Sequence, residues 1–189
     1  MKLSLSQLKR LIAEQFIGNR FVTDSIQRLI YSNEPFTSFR ATQQDPVDLS
    51  GDFGPKKPNG LWYACGDQWA KFIRDAGWES RYNHLYEIDI NESEMLMIRS
   101  TEDFESLEAR YGRRGNAPQE WKNELHIDWP AIARDYAGIE ICPYRGEKRT
   151  KSQWYYPWDV ASGCIWSSRA IIGIKEIPLK FYKSSHSRW

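Results

Sequence analysis

The stretch KPNGLWYACGDQW, residues 57–69, places two tryptophans and a tyrosine among glycines directly after a loop. A packed core needs aromatic residues, but it rarely needs glycine between them. Gly60 permits a tight entry into a strand, and strand alternation would then point Trp62 and Tyr63 to opposite faces. One of these rings would face the side on which a flat ligand could stack. The pattern favours a ligand pocket, and a packed core with one exposed ring is the alternative.

The sequence around this stretch predicts an α+β domain. Prolines and glycines make residues 43–59 a loop, GLWYAC a strand and residues 66–78 a helix. Strands outnumber helices and show no regular βαβ alternation, which favours α+β over a doubly wound sheet. The later strands are predicted at 84–90, 94–100 and 138–144, with a closing pair at 162–166 and 171–177. Ser100 and Asp128 are predicted to begin helices, and residues 112–120 and 145–159 are predicted to be loops.

The N-terminal residues predict a helical addition to this domain. Residues 3–17 carry an apolar stripe at helical spacing, and residues 21–31 predict a second short helix. The first helix fits docking on the domain, and a partner-binding or membrane helix is the alternative. The predicted organisation is a helical segment over 1–33, a main domain over 34–182 and a tail over 183–189.

The sequence lacks the motifs of several common classes of protein, and its net charge is uninformative. Lys and Arg total 26 and Asp and Glu 25, so net charge argues neither for nor against nucleic acid. The sequence contains no nucleotide-binding glycine motif, no zinc-protease motif, no hydrolase elbow and no long apolar run. The odd number of cysteines predicts reduced thiols and a cytoplasmic location, and neither the cysteines nor the histidines have metal-ligand spacing, which predicts no metal. These residues are Cys65, Cys142, Cys164, His84, His126 and His186.

Two further stretches contain charged residues among apolar neighbours. PFTSFRAT, residues 35–42, predicts a strand in which Arg40 points either toward a phosphate or ribose group or toward water. WYYPWDVASGCIW, residues 154–166, surrounds Asp159 with aromatic residues. A carboxylate among rings acts on a developing cation or caps the turn that follows it. Glu140 is a second strand carboxylate.

The order of these stretches resembles the ADP-ribosyltransferase family, most closely its small phage-encoded members. FRAT stands where the first strand of the family carries an Arg or His for NAD, and GLWYACG stands where a second strand approaches the nicotinamide. YEIDINES and DYAGIEI follow in order, and DVASGCIW supplies a late acid before a closing strand. The resemblance covers about residues 36–177. Ala64 and Cys65 replace the Ser-Thr-Ser element of the family, and no ExE pair occurs.

The resemblance implies a split antiparallel β-sheet core with short helices. It also implies NAD-dependent mono-ADP-ribosyltransferase activity on a protein or nucleic-acid target, as in a phage effector or toxin acting in the bacterial host cytoplasm. NAD would be consumed as a substrate, without a metal and without a membrane partner. Asp159 would be the catalytic acid, with Glu140 as the fallback. The residues expected to bind NAD are Arg40, Thr42, Gly60, Trp62, Tyr63, Trp158 and Ser162.

Two other functions stay open from the sequence. A catalytically inactive relative would use the aromatic loop as a binding module for a protein or nucleic acid. A nucleic-acid binder would use Arg113, Arg114 and residues 148–151 as phosphate contacts and Trp154 as a stacking platform. Both basic runs equally fit solvated loops.

Overall fold

The computed structural model describes residues 26–36, 57–114 and 124–179, which form a mixed α+β structure. Seven of its strands form one sheet in the order β4-β7-β8-β2-β1-β3-β9. Strands β4 and β7 are parallel, the other neighbours in this sheet are antiparallel, and β5 and β6 pair separately. The strands are β1 (Arg28–Ser32), β2 (Leu61–Cys65), β3 (His84–Ile90), β4 (Met95–Ile98), β5 (Gly112–Arg114), β6 (Leu125–Ile127), β7 (Gly138–Ile141), β8 (Ser162–Ile165) and β9 (Ile171–Ile177).

Four α-helices connect these strands, and two of them start at the predicted caps. The Asp103 N–H donates to Ser100 Oγ at 3.0 Å, and the Ser100 N–H donates to the Asp103 carboxylate at 2.8 Å. Asp128 accepts from the Ala131 N–H at 2.9 Å. The predicted helix starts are therefore confirmed. The helices are α1 (Gln68–Asp75), α2 (Thr101–Tyr111), α3 (Trp129–Asp135) and α4 (Gly146–Arg149), with 3₁₀ turns at Glu79–Arg81, Glu92–Glu94, Gln153–Tyr155 and Ser168–Ala170.

Strand β1 corrects the prediction of a second N-terminal helix. Residues 28–32 pair with β2 on one side and with β3 on the other, so this part of the predicted helical segment belongs to the sheet. Leu29 and Ile30 are both buried, because the strand is covered on both faces. A short strand that is buried on both faces shows no alternation of apolar and polar residues, so its sequence pattern does not distinguish it from a buried helical segment. The predicted helix over 3–17 lies outside the described residues.

The predicted closing pair of strands is also wrong. β8 lies between β2 and β7, whereas β9 pairs with β3 at the edge of the sheet. The Ser168–Ala170 turn separates these two strands along the chain. The predicted loop over 145–159 contains α4 and a 3₁₀ turn, and the predicted loop after Tyr111 begins with β5.

A core rich in aromatic residues lies on the side of the sheet that α2 and α3 cover. Phe104 and Trp154 stack with centroids 5.1 Å apart, and Trp129 meets Trp154 edge-on at 6.0 Å. Trp154 is 1 % exposed, so the structure rules it out as a stacking platform for a nucleic acid. A second apolar cluster covers the other face around Ile30, Tyr86 and Ile165.

Two of the three cysteines are paired. Cys65 at the end of β2 and Cys142 just after β7 form a disulfide, and Cys164 is free and buried. The expectation of three reduced cysteines is therefore wrong. The two partners are 77 positions apart in the chain, and only the strand order of the folded sheet brings them together. The cytoplasmic location stays a prediction without this support. No described helix is long and apolar enough to cross a membrane.

Candidate functional site

A cleft of about 250 Å³ opens beside β1, β2 and β8. Its lining includes two charged residues, Lys57 and Asp159, and the polar residue Ser162. We call it the ring-lined cleft, because four aromatic side chains contribute to its wall: Tyr31, Trp62, Trp69 and Tyr82.

The stretch from Lys57 to Trp69 wraps around this cleft. Lys57 comes from the loop before β2, Trp62 from β2 itself, and Trp69 from the first turn of α1. Gly66, with φ 62°, turns the chain from β2 into α1. The glycines between the aromatic residues thus turn the chain so that a single short stretch supplies several walls of one cleft.

Gly60 lets the loop before β2 pass directly over β8. Its φ is 155°, and a Cβ there would overlap the Ile165 carbonyl and lie 2.8 Å from Cys164 Sγ. Any side chain would push the loop, and Lys57 with it, away from the cleft. Gly60 itself does not line the cleft, so its observed contribution is this close backbone approach.

Asp159 is held by an arginine at the mouth of the cleft. Arg149 Nη2 lies 3.0 Å from Asp159 Oδ1, and Arg149 Nε donates to the Tyr156 carbonyl at 2.9 Å. The guanidinium also lies 5.1 Å from the centroid of the exposed Tyr156 ring. The ion pair is about one-third exposed on both sides, so water reaches it. The isolated acid expected from the sequence is therefore a paired acid.

Lys57 places a second cation beside Asp159. Its Nζ lies 4.8 Å from the centroid of the Trp62 ring, and no described carboxylate lies within 4.0 Å of it. Burial lowers the pKa of Lys57, an effect that Asp159 opposes and Arg149 adds to.

Trp158 does not line the ring-lined cleft, although the sequence predicted it as a ligand contact. It is fully buried, and its ring meets Trp62 edge-on with centroids 4.9 Å apart. The Tyr144 hydroxyl donates to the Trp158 carbonyl at 2.8 Å. Trp158 therefore packs against Trp62 within the core and is not accessible to a ligand.

Glu140 belongs to a buried polar cluster on the opposite face of the sheet. Arg28 Nε donates to it at 2.5 Å and Arg28 Nη2 at 3.2 Å, while the Tyr63 hydroxyl donates at 2.9 Å. Arg28 also pairs with Glu92 at 2.6 Å. Glu140 is 1 % exposed and its oxygens are occupied, which favours a structural role over that of a second catalytic acid.

The absence of a side chain at Gly163 lets Tyr63 reach Glu140. Tyr63 and Glu140 are both register partners of Gly163, on either side of β8. A Cβ on Gly163 would overlap the Tyr63 ring, which lies across the strand. Because this ring is on the opposite face, Tyr63 reaches the cleft only through its backbone. Burial and the neighbouring carboxylate of Glu140 raise the pKa of Tyr63.

The same region contains the only cluster of potential metal ligands among the described residues. Cys65, Cys142 and Glu140 offer ligand atoms within 4.8 Å of one another. Both sulfurs are committed to the disulfide, and the carboxylate is committed to Arg28 and Tyr63. This donor set does not fit a metal.

The structure brings four of the predicted site residues together and separates others from them. Glu140 and Trp158 lie away from the cleft, and Arg40 and Thr42 lie outside the described residues. The four that line it are Asp159, Trp62, Tyr63 and Ser162. Sequence reasoning missed Tyr31, Lys57, Trp69 and Tyr82. Lys57 and Trp69 are the first and last residues of the stretch that indicated a pocket, so that stretch could have predicted both. No local sequence feature distinguishes Tyr31 or Tyr82.

A second hollow, of about 500 Å³, crosses β1, β3 and β9. Its described lining includes no aromatic ring. The ring-lined cleft is smaller, but it combines flat apolar walls with converging polar groups, which is the composition of a ligand site.

Comparisons with known proteins identify no relative. No family model matches the chain, and neither the curated proteins nor the solved structures contain a significant match.

Proposed function

We propose that the protein is a NAD-dependent mono-ADP-ribosyltransferase that holds the nicotinamide end of NAD in the ring-lined cleft. One observation carries this proposal. Trp62 and Asp159 were selected from separate stretches of sequence as a ring-stacking residue and a catalytic acid, and both line the same cleft together with Ser162. Their convergence also supports an ADP-ribosyltransferase fold for the domain.

The cleft suits one end of NAD better than the whole molecule. Its volume, about 250 Å³, lies below the roughly 300–1,000 Å³ of typical small-molecule sites. Flat rings such as Trp62 and Tyr31 can stack on the nicotinamide, and the Ser162 hydroxyl can bond the ribose or the carboxamide. The adenosine end would extend beyond the cleft.

Asp159 would act on the charge that develops as the nicotinamide leaves. Breaking the bond between the ribose C1′ and the pyridinium nitrogen leaves positive charge on the ribose and releases neutral nicotinamide. A carboxylate beside this carbon stabilises the charge more strongly among rings than in bulk water. Arg149 fixes the carboxylate at 3.0 Å, and a nucleophile of the target macromolecule then attacks C1′.

The same ion pair favours a second candidate function. Arg149 already neutralises Asp159, and such a pair would weaken the carboxylate as an electrostatic catalyst. A catalytically inactive relative would use the cleft and the exposed Tyr156 beside it to bind a protein or nucleic acid. This alternative keeps the ligand-binding surface and loses the chemistry.

The first experiment asks whether NAD binds at the cleft. Trp62 and Trp69 line it, so NAD binding should quench tryptophan fluorescence in a saturable way. The Trp62→Phe variant keeps an apolar ring and should lose part of the quench, whereas Trp78→Phe, away from the cleft, should respond as the wild type does. Absence of any saturable quench in the wild type would contradict the proposal.

The second experiment separates the enzyme from the binding module. The protein is incubated with labelled NAD and a bacterial lysate, and the label is then sought on protein, RNA and DNA. Transfer to any of these supports the transferase. Saturable binding of NAD without transfer, under conditions in which the wild type is folded, would favour the binding module.

A further inference from the structure

The proposed reaction leaves Lys57 without a role, although this residue lines the ring-lined cleft and its Nζ lies 4.8 Å from the centroid of the Trp62 ring. Two other described lysines have carboxylate partners: Lys71 lies 2.9 Å from Asp67, and Lys148 lies 2.8 Å from Glu105. Lys57 instead has the Trp62 ring at 4.8 Å and no described carboxylate within 4.0 Å. A half-buried ammonium that has no ion pair with any described residue and lines a cavity with room for a ligand is an unusual arrangement.

The surroundings of Lys57 favour the neutral amine. The charged form loses hydration among the rings, and the nearby Arg149 guanidinium repels it. The Asp159 carboxylate attracts it and partly offsets both effects, and the buried Cys164 also faces it. The pKa of Lys57 is lowered by burial in spite of these opposing groups. Desolvation beside another cation is a recurring way in which proteins activate a lysine as a nucleophile.

We propose that Lys57 is a nucleophilic lysine that forms an imine with a small, flat carbonyl compound entering the ring-lined cleft. Aromatic aldehydes that bear an anionic group fit this site best. The rings of Trp62 and Tyr31 accept a flat ring, and the Arg149 guanidinium, paired with Asp159 at the cleft, is the cation available to an anionic substituent. The inference does not depend on the proposed use of NAD.

The chemistry needs no oxidant or reductant. The neutral Lys57 nitrogen attacks the carbonyl carbon, a C–N bond forms, and the carbonyl oxygen takes up a proton. The carbinolamine then loses its hydroxyl group as water, with the second nitrogen proton, and leaves a C=N bond. Amine and aldehyde thus give imine and water. Asp159 lines the same cleft and can carry the proton between nitrogen and oxygen.

Pyridoxal 5′-phosphate provides a direct probe, because it combines a flat ring, an aldehyde and a phosphate. The full chain is treated with a substoichiometric amount at pH 7.5, and the imine is trapped with cyanoborohydride. Peptide mass spectrometry then gives the rate at each lysine. We expect Lys57 to be labelled at least tenfold faster than Lys71 and Lys151, which are exposed. Equal or slower labelling of Lys57 would overturn the proposal.

A matched variant and a pH series complete the test. Lys57→Arg keeps a cation over Trp62 and removes the amine, so labelling at position 57, resolved from the neighbouring Lys56 by fragmentation, should disappear while the urea midpoint of unfolding stays that of the wild type. In the wild type, labelling of Lys57 should reach half its maximal rate at a lower pH than labelling of Lys71. Half-maximal labelling of Lys57 and Lys71 at the same pH would also refute the assignment. NAD quenching of the Lys57→Arg variant reports separately on the proposed function.

Discussion

Gly163 shows how the absence of one side chain organises a buried site. It lies in the middle of β8, between the register partners Tyr63 and Glu140. The Tyr63 ring crosses the strand in the space that a Cβ would take. Its hydroxyl thereby reaches a carboxylate that also binds Arg28, and all three groups are satisfied in an interior without much water.

Gly163→Ala should therefore destabilise the protein. The added methyl group must displace the Tyr63 ring or the backbone, which we expect to lower the free energy of unfolding by about 1–3 kcal/mol. Gly173→Ala is the control, because a Cβ there meets nothing within 4 Å. Urea unfolding of the two variants makes the comparison, and equal midpoints would contradict this packing account.

The ion pairs of Glu92 make stability depend on pH. Burial would raise the pKa of Glu92, but hydrogen bonds from Arg28 and Arg99 outweigh it and hold the pKa below its usual range. A carboxyl whose folded pKa lies below its unfolded value, about 4.3, stabilises the folded state above that pH. This contribution is lost as the pH falls through the folded pKa.

The wild type should therefore lose stability below about pH 4.3 more steeply than the Glu92→Gln variant, which cannot titrate at this position. Urea midpoints between pH 7 and pH 3 make the comparison. Parallel curves for the two proteins would show that Glu92 titrates alike in the folded and unfolded states.

Helix α2 is the element whose start depends most clearly on its cap. The side chains of Ser100 and Asp103 each accept a hydrogen bond from the other residue's backbone N–H. These two N–H groups have no acceptor within the helix itself. Ser100→Ala should cost about 0.5–2 kcal/mol of unfolding free energy. Ser106→Ala, at an exposed position in the same helix, should cost nothing, since alanine is the better helix former. Equal losses would exclude the cap as the cause.

The elements that the sequence predicted correctly are those set by local chemistry. The caps at Ser100 and Asp128 and the alternating strand β3 needed only neighbouring residues. Strand β1 and the partners of β8 and β9 depend on residues far away in the chain, and no local pattern encodes them. The wrong closing pair arose because strands that follow one another in the chain were assumed to be neighbours in the sheet.

The candidate site divides in the same way. Trp62 and Asp159 were found because each is unusual within its own stretch. The pairing of Arg149 with Asp159 and the position of Tyr82 at the cleft were missed, because both depend on residues that only folding brings together. The partners of Glu140 could not be foreseen for the same reason, since Arg28 lies on another strand of the sheet.

The disulfide acts at the scale of the whole molecule, because it joins two strands on either side of β8. Cys65 and Cys142 are 77 positions apart in the chain, so the crosslink closes a long loop and should stabilise the fold by about 2–4 kcal/mol. Reduction, or the Cys65→Ser/Cys142→Ser double variant, should lower the urea midpoint accordingly. Thiol titration of the denatured protein should find one thiol, from Cys164, before reduction and three after it. Three thiols before reduction would contradict the pairing.

Whether the ring-lined cleft is a catalytic site also depends on the whole fold, because its lining residues come from distant parts of the chain. Release of nicotinamide from NAD by the purified protein measures this directly, with Asp159→Asn as the test variant and Asp135→Asn, in the exposed pair with Arg110, as the control. We predict release by the wild type and the control, and a loss of about 100-fold or more in Asp159→Asn. Its unfolding free energy should stay within about 1 kcal/mol of the wild type, because the Arg149 pair is solvent-accessible. Undiminished release by a folded Asp159→Asn variant would contradict the proposal.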